Sequence, residues 1–174
     1  MHKENLPQKV DPFRFAENKF NLQGSLTLKD MHRLSASLSS DEGEADVSLA
    51  FGVDEQKIRF VRGQVKTCLV LQCQRCLELF NYEINNAFIL GFVHSEEDIE
   101  ALPESYDPVV VKDNEFFIAD LIEEELLVSL PIVPMHPVKD CKVKLPFSGS
   151  TSITVEKENP FKVIESLRTK RGAK

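Results

Sequence analysis

Three successive apolar alternations between residues 47 and 93 constrain the fold of this chain more than any other stretch. In "ADVSLAFGVD", Val47, Leu49, Phe51 and Val53 share one side of an extended backbone, and Ser48, Ala50 and Gly52 share the other. "IRFVRGQVKTCLVLQ" continues the pattern with Val65, Thr67, Leu69 and Leu71, while Ile58 and Phe60 fall on the opposite phase, so a bulge at Gly63 is expected to reset the face. "FNYEINNAFILGFV" places Phe80, Tyr82, Ile84, Phe88, Leu90 and Phe92 together. A period of two over runs this long is the signature of half-buried strands. With "DEQK" at 54–57 as a turn, 47–93 reads as an antiparallel meander with one apolar face. Such a face needs cover, and the expected fold is α+β: a twisted antiparallel sheet covered by helices.

The cover is legible on both sides of the meander. "VDPFRFAEN" offers Asp11 as N-cap and Pro12 at the first helical position. "FNLQGSLTL" is strand-like with Gly24 as a break, and "LKDMHRLSASL" spaces Met31, Leu34 and Leu38 for a helix that Asp30 can cap. "SEEDIEALP" reads as a short acidic helix, "YDPVVV" and "EFFI" as short strands. "IADLIEEELLVSLP" is the clearest helix, with Asp120 as candidate cap, an apolar stripe of Ile122, Leu126 and Leu130, and Pro131 as its stop. Within it, Glu123, Glu124 and Glu125 point three ways and are expected on a solvated face, and His94 is expected as an exposed strand-end residue without a nucleophile beside it.

At 174 residues with 42% apolar content, the chain suits one domain with a real core. "MHKENLPQKVDPFRF" lacks the apolar region of a secretory signal, and no apolar run approaches the roughly 18 residues that span a bilayer. A soluble, cytoplasmic protein without a membrane partner is expected. The net charge of −7 is uneven: twelve acids and one base, Lys112, lie between Glu96 and Glu125, and the remainder is net basic. A nucleic-acid partner is therefore compatible with the acidic total.

The segment between the second and third alternations reads "LQCQRCLELF". Cys73 and Cys76 lie on a hairpin turn between strands, the geometry of a zinc knuckle; a redox pair of the thioredoxin kind lies at a helix N-terminus. A knuckle supplies two ligands and needs two more, and "HPVKDC" offers His136 and Cys141 on a Pro-rich strap. Three readings stay open: a structural zinc site, a metal-free remnant of one, or a redox dithiol. Cys68, on the other phase of its strand, is expected to be packed. Gly-rich phosphate loops, G-x-S-x-G and H-E-x-x-H are absent from the sequence, and no catalytic residue is assigned.

The organisation expected is a single α+β domain over 1–145, a flexible linker over 146–158 and an amphipathic basic segment over 159–174. In that last segment Asn159 and Pro160 start a short, flexibly tethered helix. Phe161, Ile164 and Leu167 form a partner-binding face, and Arg168, Lys170, Arg171 and Lys174 are placed to contact nucleic acid.

"LQCQRCLELF", "EALPESYDPV", "LIEEELLVSLPIVPMH" and "NPFKVIESLR", in this order, resemble the YceD family, bacterial large ribosomal RNA subunit accumulation proteins. The resemblance runs from about residue 10 to the end. It implies a role in synthesis, processing or stability of large-subunit ribosomal RNA, and it carries no catalytic residue. Some members have cysteine pairs at both places, consistent with a four-ligand zinc; here His136 stands where one of those cysteines would be. The function expected is a non-enzymatic ribosome-biogenesis factor that binds pre-ribosomal RNA or the assembling large ribosomal subunit. The alternative is an adaptor for another protein, such as a nuclease or a ribosomal protein, whose basic surface would meet the acidic 96–125 block.

Overall fold

The computed structural model describes residues 6–143. A five-stranded sheet in the order β2-β3-β4-β5-β6 forms the frame, built from β2 (Asn21–Thr27), β3 (Glu44–Val53), β4 (Arg59–Gln72), β5 (Leu79–Val93) and β6 (Asp107–Val110). A two-stranded ribbon pairs β1 (Lys9–Val10) with β7 (Phe116–Phe117). The helices are α1 (Pro12–Glu17), α2 (His32–Ser35) and α3 (Ile118–Ser129). This is the α+β architecture expected, antiparallel from β2 to β5, with β6 added in parallel at the edge. A parallel neighbour needs a crossover of about a dozen residues, and 94–106 supply it, folded around a 3₁₀ turn at Glu97–Ala101.

The inner face carries Val47, Leu49, Phe51, Val61, Val65, Leu69, Ile84, Phe88, Leu90 and Phe92, all buried. Against it pack Phe13 and Ala16 of α1, Leu34 of α2, and Ile118, Ile122 and Leu126 of α3. Asp11 caps α1 as expected, its carboxylate accepting the Arg14 N–H at 3.0 Å.

Register decides one departure from expectation. β4 pairs without interruption on both sides, Val53↔Arg59 through Asp46↔Lys66 and Phe60↔Gly91 through Gln72↔Leu79. There is therefore no bulge at Gly63. The residue points inward opposite Phe88, where a Cβ would lie 2.0 Å from Phe88 Cζ. The opposite phase of Phe60 belongs to a small cluster on the outer face: its ring lies 5.9 Å from Tyr106, and a Cβ at Gly52 would meet it at 2.9 Å. Gly24 likewise is no break; it pairs with Val47 inside β2 and is buried.

The helix caps differ too. α2 is a single turn, and neither Asp30 nor Asp120 is an N-cap; those positions are Met31 and Phe117. The cap of α2 comes from α3. Glu123 Oε1 accepts the N–H groups of Arg33 at 2.7 Å and Leu34 at 3.1 Å, and Oε2 accepts Arg33 Nε at 3.1 Å. Glu123 is thus buried, not solvated, because it satisfies amides that the short helix leaves open. Glu124 is exposed and bonds Arg33; Glu125 accepts Asn86 Nδ2 at 3.0 Å. Among the described residues, no helix is long and apolar enough to cross a membrane.

Candidate metal centre

The β4–β5 hairpin ends in residues 73–78. Cys73 N–H donates to the Glu78 carbonyl at 2.9 Å, and Leu77 N–H to the Cys73 carbonyl at 2.8 Å. The return requires Leu77 at φ 62, a conformation that costs a side chain of this kind about 1 kcal/mol. The gain is a knuckle whose amides face sulfur: the N–H groups of Arg75 and Cys76 turn toward Cys73, and that of Glu78 toward Cys76.

The other half of the site arrives from the end of α3. After Pro131 the chain runs as a strap without regular structure, bending at Ile132 and Val133, and the turn Val138–Asp140 brings Cys141 back toward the knuckle. Gln74 N–H donates to the Pro134 carbonyl at 2.9 Å. Arg75 Nη2 reaches the His136 carbonyl at 3.0 Å, and its Nε reaches Cys141 Sγ at 2.9 Å. The His136 ring stacks on Phe80 with centroids 5.4 Å apart, and its Nε2 lies 3.7 Å from Cys76 Sγ.

The result is a closed set. The ligand atoms of Cys73, Cys76, His136 and Cys141 all lie within 4.8 Å of one another. Thiolates about 2.3 Å from a tetrahedral metal are about 3.8 Å apart, so small side-chain adjustments bring these four onto one ion. Cys73 and Cys141 are buried, which keeps their sulfurs from water, and Cys76 and His136 are half-buried.

Burial raises the Cys73 thiol, but the N–H groups of Cys76, Arg75 and His136 and the Cys76 thiol outweigh it and bring the thiol down to about 6. Burial, together with the Cys141 and Cys73 sulfurs, pushes the Cys76 thiol up. One thiol of the knuckle is thus set toward the thiolate that a metal requires. The four residues nominated from sequence are brought together and can hold a metal ion.

Sequence reasoning missed Arg75. Its signal was present, a cation between the two cysteines, but the contact to Cys141 spans 66 positions and depends on the strap. Cys68 is exposed on the outer face, not packed, because its phase is opposite to that of buried Leu69. His94 is exposed and stacks on Phe13 with centroids 4.0 Å apart. Phe161, Ile164, Leu167, Arg168, Lys170, Arg171 and Lys174 lie outside the described residues.

Comparison with known proteins covers the whole architecture. Residues 61–168 match the family model described as large ribosomal RNA subunit accumulation protein YceD. That span includes the hairpin, the knuckle, α3 and the strap. A Haemophilus influenzae protein of the same description is 34% identical over 176 residues, covering 98% of this chain and 100% of the relative. No solved structure gives a significant match. A family model covering most of the chain and a relative aligned end to end agree: this chain belongs to the YceD family of large ribosomal RNA subunit accumulation proteins.

Proposed function

We propose that this protein is a non-enzymatic ribosome-biogenesis factor of the cytoplasm. It supports synthesis, processing or stability of large-subunit ribosomal RNA by binding pre-ribosomal RNA or assembling large-subunit particles. The observation that carries this reading is the end-to-end identity of 34% with a relative whose name states accumulation of that RNA. In this reading Cys73, Cys76, His136 and Cys141 hold a structural zinc. Three thiolates and an imidazole are soft donors suited to tetrahedral zinc, and four protein ligands leave no position for a substrate or an activated water. The metal ties the strap to the hairpin. Arg168, Lys170, Arg171 and Lys174 contribute phosphate contacts, beside a docking face of Phe161, Ile164 and Leu167.

Depletion of the protein in its own cells tests the function. The ratio of large- to small-subunit ribosomal RNA is expected to fall, and to recover when the intact chain is supplied. A ratio that does not respond to depletion overturns the proposal.

A further inference from the structure

The five-stranded sheet has two outer edges, and they are built differently. β6 runs for four residues and carries Asp107 and Pro108, the short, charged and proline-bearing strand by which proteins keep an edge from pairing. β2, at the other edge, runs for seven residues, Asn21–Thr27, in unbroken register with β3. Its sequence "NLQGSLT" holds no charge and no proline. At its two ends, Phe51 N–H donates to the Phe20 carbonyl at 2.9 Å and Leu28 N–H to the Gly43 carbonyl at 3.1 Å. In an antiparallel pair, alternate residues turn their backbone groups to the same partner. Leu22, Gly24 and Leu26 therefore face β3, while the N–H and C=O groups of Asn21, Gln23, Ser25 and Thr27 face away from it. Nothing among the described residues bonds those outward groups.

We propose that this edge pairs with the same edge of a second copy, antiparallel about Gly24, to form a two-fold dimer with one continuous sheet. The strand and its two ends select that occupant. About this axis Asn21 meets Thr27 and Gln23 meets Ser25 on the outer face, and Leu22 meets Leu26 on the inner face, so polar faces polar and leucine faces leucine. The polar pairs are also the ones whose backbone groups point outward, as a hydrogen-bonded ladder requires. Just before the strand stands Phe20, 46% exposed, its ring 4.7 Å from that of Phe15. Beyond the other end lies a cavity of about 360 Å³ walled by Leu26, Met31, Phe117 and Ala119, with Asp30 and Asp120 also lining it. Phe20 shares the phase of Leu22 and Leu26, so pairing about Gly24 brings Phe20 of each copy alongside position 28 of the other, at the cavity. Lys19 arrives with it, at an end where the two carboxylates outnumber Lys29. Lys19, Asp30 and Asp120 have no ion-pair partner among the described residues. A two-fold contact requires a surface that is its own complement. An unrelated strand satisfies the ladder alone; a second copy satisfies the ladder, both faces and both ends. The dimer is independent of the metal centre and of the role in ribosomal RNA.

Light scattering over a concentration series, with amide hydrogen exchange on the same full-length samples, tests it. The expected result is a rise from one to twice the chain mass, with the amides of Asn21, Gln23, Ser25 and Thr27 becoming protected in step with the mass. Gln23→Lys with Ser25→Lys should weaken association about tenfold or more, because like charges then face each other at both symmetry-related pairs. Gln23→Glu with Ser25→Lys should restore it, because each pair then joins opposite charges. A mass of one chain at every concentration overturns the proposal, and so does a dimer in which the four amides exchange as they do in the single chain. Protection of those amides at the mass of one chain would mean that the edge is filled from within the chain, and also overturns it. A dimer indifferent to the lysine pair, or one that the glutamate–lysine pair does not restore, rejects the register about Gly24. The exchange measurement needs no substitution, so the proposal is decided even where a variant fails to fold.

Discussion

Gly63 and Phe88 are direct cross-strand partners on the inner face of the sheet, and the ring occupies the space a side chain at 63 would fill. Gly63→Ala is therefore expected to destabilise the fold by about 1–3 kcal/mol, the usual cost of overpacking a filled core. Combining it with Phe88→Leu should cost less than the sum of the two single changes, since the second relieves the clash made by the first. Urea unfolding of the four chains measures this, and strict additivity would contradict the contact. Glu123 presents the complementary case of a charge that the fold requires. Burial raises its carboxyl, but the N–H groups of Leu34 and Arg33 and the Arg33 guanidinium outweigh it and hold the group below the ordinary carboxylate range. A carboxyl lowered on folding stabilises the protein fully above its unfolded pKa of about 4.3, and the stabilisation is lost as pH falls through the lower folded value. Glu123→Gln should cost about 1–3 kcal/mol near neutral pH, because an ionised acceptor of two backbone amides, that of Leu34 buried, is replaced by a neutral one. The difference from the parent chain should shrink as the pH drops below about 4. A difference that is constant with pH would show that Glu123 acts by shape alone. Neither residue was legible in its role from sequence. A glycine in a strand has several meanings, and a glutamate within "EEE" becomes a cap only when another helix ends against it.

At the scale of elements, the strand faces and the knuckle were legible because they are local patterns: period two along β3 and β5, and two cysteines on a turn between strands. The partners of those elements were not. The phase change in β4 is a true signal of apolar residues on both faces, but the second cluster forms only because the crossover 94–106 returns Leu102 and Tyr106 over Gly91. The parallel placement of β6 depends on the same crossover, and a four-residue strand carries no mark of direction. The knuckle–strap pairing was accessible from the ligand types, since two soft donors on a turn are incomplete without two more. If the cluster holds zinc, the purified chain contains one ion, and Cys76→Ser or His136→Ala removes it. Chelation should then lower the melting temperature. Structural zinc contributes on the order of 10 kcal/mol in domains that fold only with metal; this chain has its own core, so the loss should be smaller and concentrated in the strap. His136→Cys should retain the metal, because a fourth thiolate satisfies the same geometry. Elemental analysis with parallel melting curves decides it, and a metal-free native protein with unchanged stability after Cys76→Ser would refute the site.

Across the whole molecule, charge is divided unevenly along the chain. The acidic residues gather between Glu96 and Glu125, while the last seven positions, "RTKRGAK", hold four bases and no acid. A chain of net charge −7 does not attract RNA by its overall field. The proposed RNA contact therefore has to be local, within the screening length of about 8–10 Å set by physiological salt. Residues 168–174 are the densest local source of positive charge, and they follow the apolar spacing of Phe161, Ile164 and Leu167. Reversing both Lys170 and Arg171 to Glu should therefore weaken binding to large-subunit ribosomal RNA most strongly at low salt. Each phosphate contact contributes about 0.7–0.9 to the slope of log affinity against log salt, so losing two should flatten that slope by roughly 1.4–1.8. Since neither residue is expected in the core of the sheet domain, the melting temperature should hold, and removal of 159–174 should likewise leave it nearly unchanged. Titrating protein against transcribed ribosomal RNA at several salt concentrations separates the outcomes. A parallel shift of the line would mean that the reversal perturbs a neutral contact. An unchanged line would mean that RNA is held elsewhere, and a fall in melting temperature would return the segment to the fold.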